Sequence, residues 1–153
     1  MKITLNNLNQ LKYIPKIWST ILYFIFVAVV LLLFAGRKIE ELRFESLYYL
    51  FPDYYQHISN FSISAMLVLV AGYTNVLENR TLTRTYVSAA LLIAANLIYE
   101  LFLPFINTMD VMDAYYGIAG SIVPFIYLIP YKLYGIQENP NYIEKNKSEN
   151  PVL

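Results

Sequence analysis

The sequence predicts an all-α polytopic membrane protein: a bundle of four transmembrane helices with a short interfacial helix between the first and second. Three observations carry this reading. Charged residues make up only 14% of the 153, whereas hydrophobic residues make up 58%. A soluble domain carries about 25% charged residues, so the deficit points to lipid as solvent. Apolar runs long enough to cross the roughly 30 Å hydrocarbon core alternate with short polar segments. Tyrosine occurs 15 times, and its apolar ring with a polar tip suits the headgroup zone.

Residues 1–16 form a polar segment with Lys2, Lys12 and Lys16 and no acid. Pro15 is placed to open a helix just before the first apolar run. Residues 17–36 carry no charge and read as the first span. That run is too long for a signal-peptide core, and no small-residue cleavage site follows it. Residues 37–56 mix charges at Arg37, Lys38, Glu40, Glu41, Arg43 and Glu45 with aromatics at Phe44, Tyr48, Tyr49, Phe51, Tyr54 and Tyr55. An interfacial helix ended by Pro52 is expected there, the alternative being a solvated loop.

Residues 57–76 form the second span. His57, Asn60, Ser64, Ala71 and Asn75 fall on one helical stripe, and such a stripe normally faces other helices. Residues 87–105 form the third span, with Ala89, Ala90, Ala94 and Ala95 as expected packing positions and Asn96 one turn before Glu100. Residues 106–110 turn the chain, and residues 112–130 form the fourth span. The transmembrane domain thus runs over 17–132, and 133–153 is a polar tail, expected to be disordered at its end.

Counting Lys and Arg sets the orientation. With the N-terminus inside, the inner segments hold Lys2, Lys12, Lys16, Arg80, Arg84, Lys132, Lys145 and Lys147, and the outer ones hold Arg37, Lys38 and Arg43. Both termini are therefore expected in the cytoplasm. Asp53, His57, Glu100, Asp110 and Asp113 then all lie near the outer face.

Several function classes drop out. Net charge is zero, so no nucleic-acid partner is expected. With no cysteine there is no disulfide framework and no Cys-ligated zinc. No nucleophile elbow or Gly-rich phosphate loop is present, so a non-enzyme is the expected class. What remains is the polar set Asp53, His57, Asn60, Glu100, Asp110 and Asp113. Asp110 and Asp113 suit an ordinary helix start. They also head a stripe with Gly117, Gly120 and Pro124, and capping does not explain those glycines. Glu100 needs a donor inside the bundle, or reaches the interface by tilt. Asn60, His57, Arg37, Arg43, Tyr115 and Tyr116 are the candidate donors. His57 is either interfacial or turned into the bundle beside Asn60 and Ser64. One histidine with carboxylates matches no known metal motif, so neither metal nor cofactor is expected.

These landmarks resemble the VanZ-like family of small bacterial integral membrane proteins over roughly residues 17–132. Asp53-Tyr-Tyr-Gln-His57 enters span two, Glu100 lies late in span three, and Asp110-Val-Met-Asp113 precedes Gly117 and Gly120. Leu103 stands where the family often has Gln. Residues 104–109 lack its Arg, and Ala114 or Gly117 replaces a frequent Asn. The resemblance implies a four- or five-helix bundle in the bacterial plasma membrane and, through the family's name member, a link to glycopeptide antibiotic resistance. The expected function is an envelope protein whose outer-leaflet pocket binds a lipid headgroup or cell-wall precursor. A structural subunit of a larger complex is the alternative, with homo- or hetero-oligomers open. A metal-dependent membrane hydrolase ranks third.

Overall fold

The computed structural model describes residues 11–102 and 110–142. The chain is mostly helical. Strand β1 spans Tyr13–Pro15 and helix α1 Ile17–Ala35. A 3₁₀ turn at Glu40–Leu42 and the six-residue α2, Glu45–Leu50, follow. Then come α3 (Tyr54–Asn79), α4 (Thr83–Phe102), α5 (Val111–Ile122), α6 (Phe125–Tyr134) and β2 (Ile136–Glu138).

Among the described residues three stretches are long and apolar enough to cross a membrane: Ile17–Ala35, Tyr54–Asn79 and Val111–Tyr134. α1 buries only Ser19, Val30 and Leu33 and leaves Leu22, Phe24, Ile25, Leu31 and Phe34 exposed. So much exposed apolar surface on one helix marks a surface that meets lipid or protein rather than water. The last stretch is a rod jointed at Pro124, which occupies the cap of α6. Proline removes a backbone donor, and a break is the usual result. The expected span boundaries shift outward: α3 begins at Tyr54 rather than 57, and α4 begins at Thr83 rather than 87. The end of the third span and the turn at 106–109 lie outside the described residues, as do residues 1–10 and the tail from 143.

α3 is the central helix and packs on α1, α4, α5 and α6. Hydrogen bonds and close contacts fix its neighbours' directions. Asn60 meets Glu100, Ser64 meets Asn96 and Asn75 meets Thr85, so α4 runs antiparallel to α3. Phe61 meets Gly120 and Gly72 meets Leu128, so α5 and α6 run parallel to it. Tyr23 packs on Tyr73 while Leu33 packs with Tyr55 and Ile58, so α1 is antiparallel. The main core gathers Val68, Leu69, Val76, Tyr127, Leu128 and Tyr131 around the second half of α3.

Two glycines set the helix spacing. A Cβ on Gly120 would stand 2.2 Å from the Phe61 carbonyl oxygen, and one on Gly72 would stand 2.3 Å from Leu128 Cδ1. Small residues let helices approach in this way. The alanines of α4 behave differently from the expectation. Ala89 is buried, but Ala90, Ala94 and Ala95 are exposed, because α4 turns Asn96 and Glu100, not these alanines, toward α3.

The polar ends are joined, which the sequence does not announce. β1 and β2 pair antiparallel, Tyr13 with Glu138 and Pro15 with Ile136. Lys16 N–H donates to Gly135 O at 2.8 Å, and Asn139 N–H to Lys12 O at 3.0 Å. Ser19, fully buried, donates its hydroxyl to Gly135 O at 2.6 Å. The polar tail expected from 133 is therefore structured at its start. Arg80, the C-cap of α3, has φ 52° and stacks its guanidinium over Tyr13 at 5.9 Å. This ribbon sits at one end of α3. The other end, roughly 39 Å away at 1.5 Å per residue, carries the site.

Candidate functional site: a cleft of mixed charge

Three elements meet at the N-terminal end of α3. The segment after α1 supplies Arg37 and Arg43, α3 supplies Tyr55, Gln56 and His57, and the start of α5 supplies Asp110 and Asp113. With Tyr48 and Pro52 they line a cleft of about 520 Å³.

The arginine side is held by a small interlock. A Cβ on Gly36 would stand 2.6 Å from Tyr55 Cε1, so only glycine lets the Tyr55 ring in. The Tyr55 hydroxyl accepts the Phe44 N–H at 2.7 Å. Arg43 lies over that ring at 5.4 Å, donates Nε–H to Gly36 O at 2.9 Å and pairs with Glu40 at 3.1 Å. Arg37 donates to the Ser59 hydroxyl. Beneath them Leu33, Tyr55 and Ile58 form a local apolar cluster.

Capping geometry holds the acidic side. Asp110 is the N-cap of α5, and its Oδ1 accepts from Met112 N at 2.9 Å and Asp113 N at 3.3 Å. That satisfies two of the helix's orphan donors. Asp113 accepts or shares a proton with His57: Nδ1 to Oδ1 is 2.9 Å. The same Nδ1 lies 3.6 Å from Asp110 Oδ2. The two readings of Asp110 are thus compatible, because one oxygen caps the helix while the other faces His57. One ligand atom from each of His57, Asp110 and Asp113 lies within 4.8 Å of the others. That nitrogen–oxygen set is one a divalent cation can use, one protein ligand short of a closed tetrahedral site.

The remaining candidates form a separate, deeper layer. Glu100 is 3% exposed, and Asn60 donates to its Oε1 at 3.1 Å. One turn further in, Asn96 donates to Ser64 Oγ at 3.1 Å and to Leu92 O at 2.9 Å. Gly117 makes room for it, since a Cβ there would stand 2.3 Å from Asn96 Cγ. Gly117 therefore serves the Asn96 amide, and Gly120 serves the helix contact. Asp53 belongs to neither layer. It is exposed, and among the described residues its carboxylate takes a hydrogen bond only from Gln56, at 3.2 Å.

The cleft opens beside an apolar groove of about 330 Å³, lined by Leu47, Phe51, Tyr54, Phe61, Tyr115, Tyr116 and Ala119. His57 of the cleft and Tyr116 of the groove pack ring to ring, with centroids 5.5 Å apart. Arg37, Arg43 and Tyr55 were legible only as possible donors or aromatics in a charged segment. Arg37 follows directly on an uncharged span, the signal that places it at the same depth as His57. No family model matches the chain, and neither a curated protein nor a solved structure matches it.

Proposed function

We propose that this chain is a VanZ-like integral membrane protein of the bacterial envelope, and that its cleft binds the phosphate-bearing headgroup of an amphiphile. The observation that carries this reading is the adjacency of a charged cleft and an apolar groove, in contact through the His57 and Tyr116 rings. A soluble ligand needs no groove of that kind, whereas a lipid or a lipid-linked wall precursor uses both. Arg37 uses one of its donors on Ser59 and retains others for phosphate oxygens. In this reading α4 is the third of four crossings, and α2 lies in the outer interface, where Tyr49 and Leu50 are exposed.

Pairing of β1 with β2 supports an even number of crossings between them, and the Lys and Arg distribution supports a cytoplasmic location for that ribbon. A phosphatase fusion should be silent after residue 82 and active after residue 108; activity after 82 with silence after 108 contradicts the cytoplasmic location.

The experiment for the function is phospholipid retention by the detergent-purified chain, read by native mass spectrometry. Retained phospholipid should fall about tenfold in Arg37→Ala, the scale of one lost charge-assisted contact. Equal retention by the wild type and by Arg37→Ala combined with His57→Ala removes the proposal.

A second reading, a subunit packed on a larger partner, is favoured by the exposed Ala90, Ala94 and Ala95 on α4. Purification as a lone chain, with these three replaceable by Leu without effect in the membrane, would dispose of it.

A further inference from the structure

We infer that the headgroup taken by the cleft carries a primary ammonium beside its phosphate. The phosphate lies on the Arg37 side and the ammonium on Asp110 and Asp113. This rests on the amphiphile reading above and narrows it to one class of ligand.

The argument starts from charges that share a cavity without meeting. Arg37, Arg43, Asp110 and Asp113 all line the same cleft. Among the described residues, Arg43 pairs with Glu40 and both aspartates pair with His57, and no ion pair joins either arginine to either aspartate. Opposite charges held apart around a space of about 520 Å³ leave room for a ligand that presents both signs. That volume lies within the roughly 300–1,000 Å³ typical of small-molecule sites.

The aspartates keep capacity to receive an ammonium. Asp110 Oδ1 is committed to the α5 cap and Asp113 Oδ1 to His57. Among the described residues neither Oδ2 accepts a hydrogen bond, and only the 3.6 Å approach of His57 touches Asp110 Oδ2. A carboxylate oxygen carries two lone pairs, and an ammonium brings three N–H donors.

Two neighbouring headgroup classes match less well. A purely anionic headgroup would place its charge near two carboxylates with nothing to offer them. A quaternary ammonium has no N–H to donate and is best held by open aromatic faces. Here the Tyr55 face is already covered by Arg43. The apolar groove beyond Tyr116 takes the chain of the amphiphile, which separates this ligand from a free amino-phosphate.

The test titrates short-chain phosphatidylethanolamine, phosphatidylcholine and phosphatidylglycerol into the full chain in non-ionic detergent, by calorimetry. Phosphatidylethanolamine should bind about tenfold tighter than the other two, the scale of a charge-assisted contact. Asp110→Asn with Asp113→Asn should bring the three within about twofold, and Asn preserves the helix cap so the fold is kept. Arg37→Ala should weaken all three. Equal binding of the three lipids by the wild type, still weakened by Arg37→Ala, overturns the ammonium inference and leaves the amphiphile reading standing. No response of any lipid to either set of variants overturns both. Binding of manganese chloride alone, lost in the Asn pair and without any lipid preference, assigns the aspartates to a metal and overturns the inference.

Discussion

His57 and Asp113 lie 56 residues apart in the chain and meet at 2.9 Å, Nδ1 to Oδ1. The contact ties the first turn of α3 to the first turn of α5. It also fixes which atoms of the cleft remain for a ligand. Because the chain has no cysteine, this relationship can be measured directly. Cysteines at 57 and 113 should form a disulfide on oxidation in native membranes, since bridged Cα atoms lie within about 7 Å. Cysteines at 79 and 113 should not, because Asn79 ends α3 while His57 lies in its first turn. Equal yields from the two pairs would contradict the arrangement.

The two glycines of α5 should differ in their tolerance of alanine. At Gly120 the new Cβ meets the backbone of Phe61, which cannot turn aside. At Gly117 it meets the Asn96 side chain, which can rotate away at the expense of its bond to Ser64. Each substitution gains about 1 kcal/mol of helix propensity. Gly120→Ala should nevertheless destabilise by about 1–3 kcal/mol, the usual range for overpacking, and Gly117→Ala by less. Thermal unfolding in detergent checks the order.

Asn60 and Glu100 should be energetically coupled. A double-mutant cycle with Asn60→Ala and Glu100→Ala, each of which removes the bond, should return a coupling of about 0.6–1.7 kcal/mol, the range for hydrogen bonds between membrane helices. Additive effects would mean that the 3.1 Å contact contributes nothing. The replacement Asn60→Asp should be worse than Asn60→Ala, because it sets a second carboxylate against Glu100.

Ser19 should matter more than its size suggests. Its buried hydroxyl bonds Gly135 O, and the neighbouring Ser19 carbonyl accepts from the Tyr127 hydroxyl at 2.9 Å. Ser19→Ala should cost about 0.5–1.5 kcal/mol, the net scale of one intramolecular hydrogen bond, because Gly135 O keeps the Lys16 N–H. Ser19→Thr keeps the donor and separates the loss of the bond from a change in packing. A protease-sensitivity assay on the β1–β2 ribbon reads the same effect locally.

The helical part was legible because periodicity reports on it directly. His57, Asn60, Ser64 and Asn75 share a stripe in the sequence, and each meets a polar side chain of α4 or α5: Asp113, Glu100, Asn96 and Thr85 in turn. Polar side chains on an apolar helix have few places to go, so their spacing names the buried face. Alanine carries no such information. Ala90, Ala94 and Ala95 suit a packed face or an open one equally well, and here they face outward.

Arg43 is placed by Gly36 and Tyr55, residues seven before and twelve after it, through a shape that no local pattern encodes. Likewise β1 and β2 have three residues each. That is too few for alternation to register, and their pairing is decided by where α1 begins and α6 ends. The separation of Glu100 from the aspartates was equally hidden. Depth along a helix is visible in sequence only to within a turn or so, and one turn separates the two layers.

The ribbon of β1 and β2 also orders events in time. Its strands flank every described helix, so β1 is synthesised before all of them and waits for β2, which follows them. Until α6 is in place, β1 shows an unpaired edge, the kind of surface that invites wrong partners. Closing so long a loop costs only slowly more with length, so what delays the latch is synthesis rather than entropy. A chain stopped before Ile136 would contain α1 through α6 and still present that open edge. Completion of the ribbon therefore marks a molecule in which every described helix has already been made.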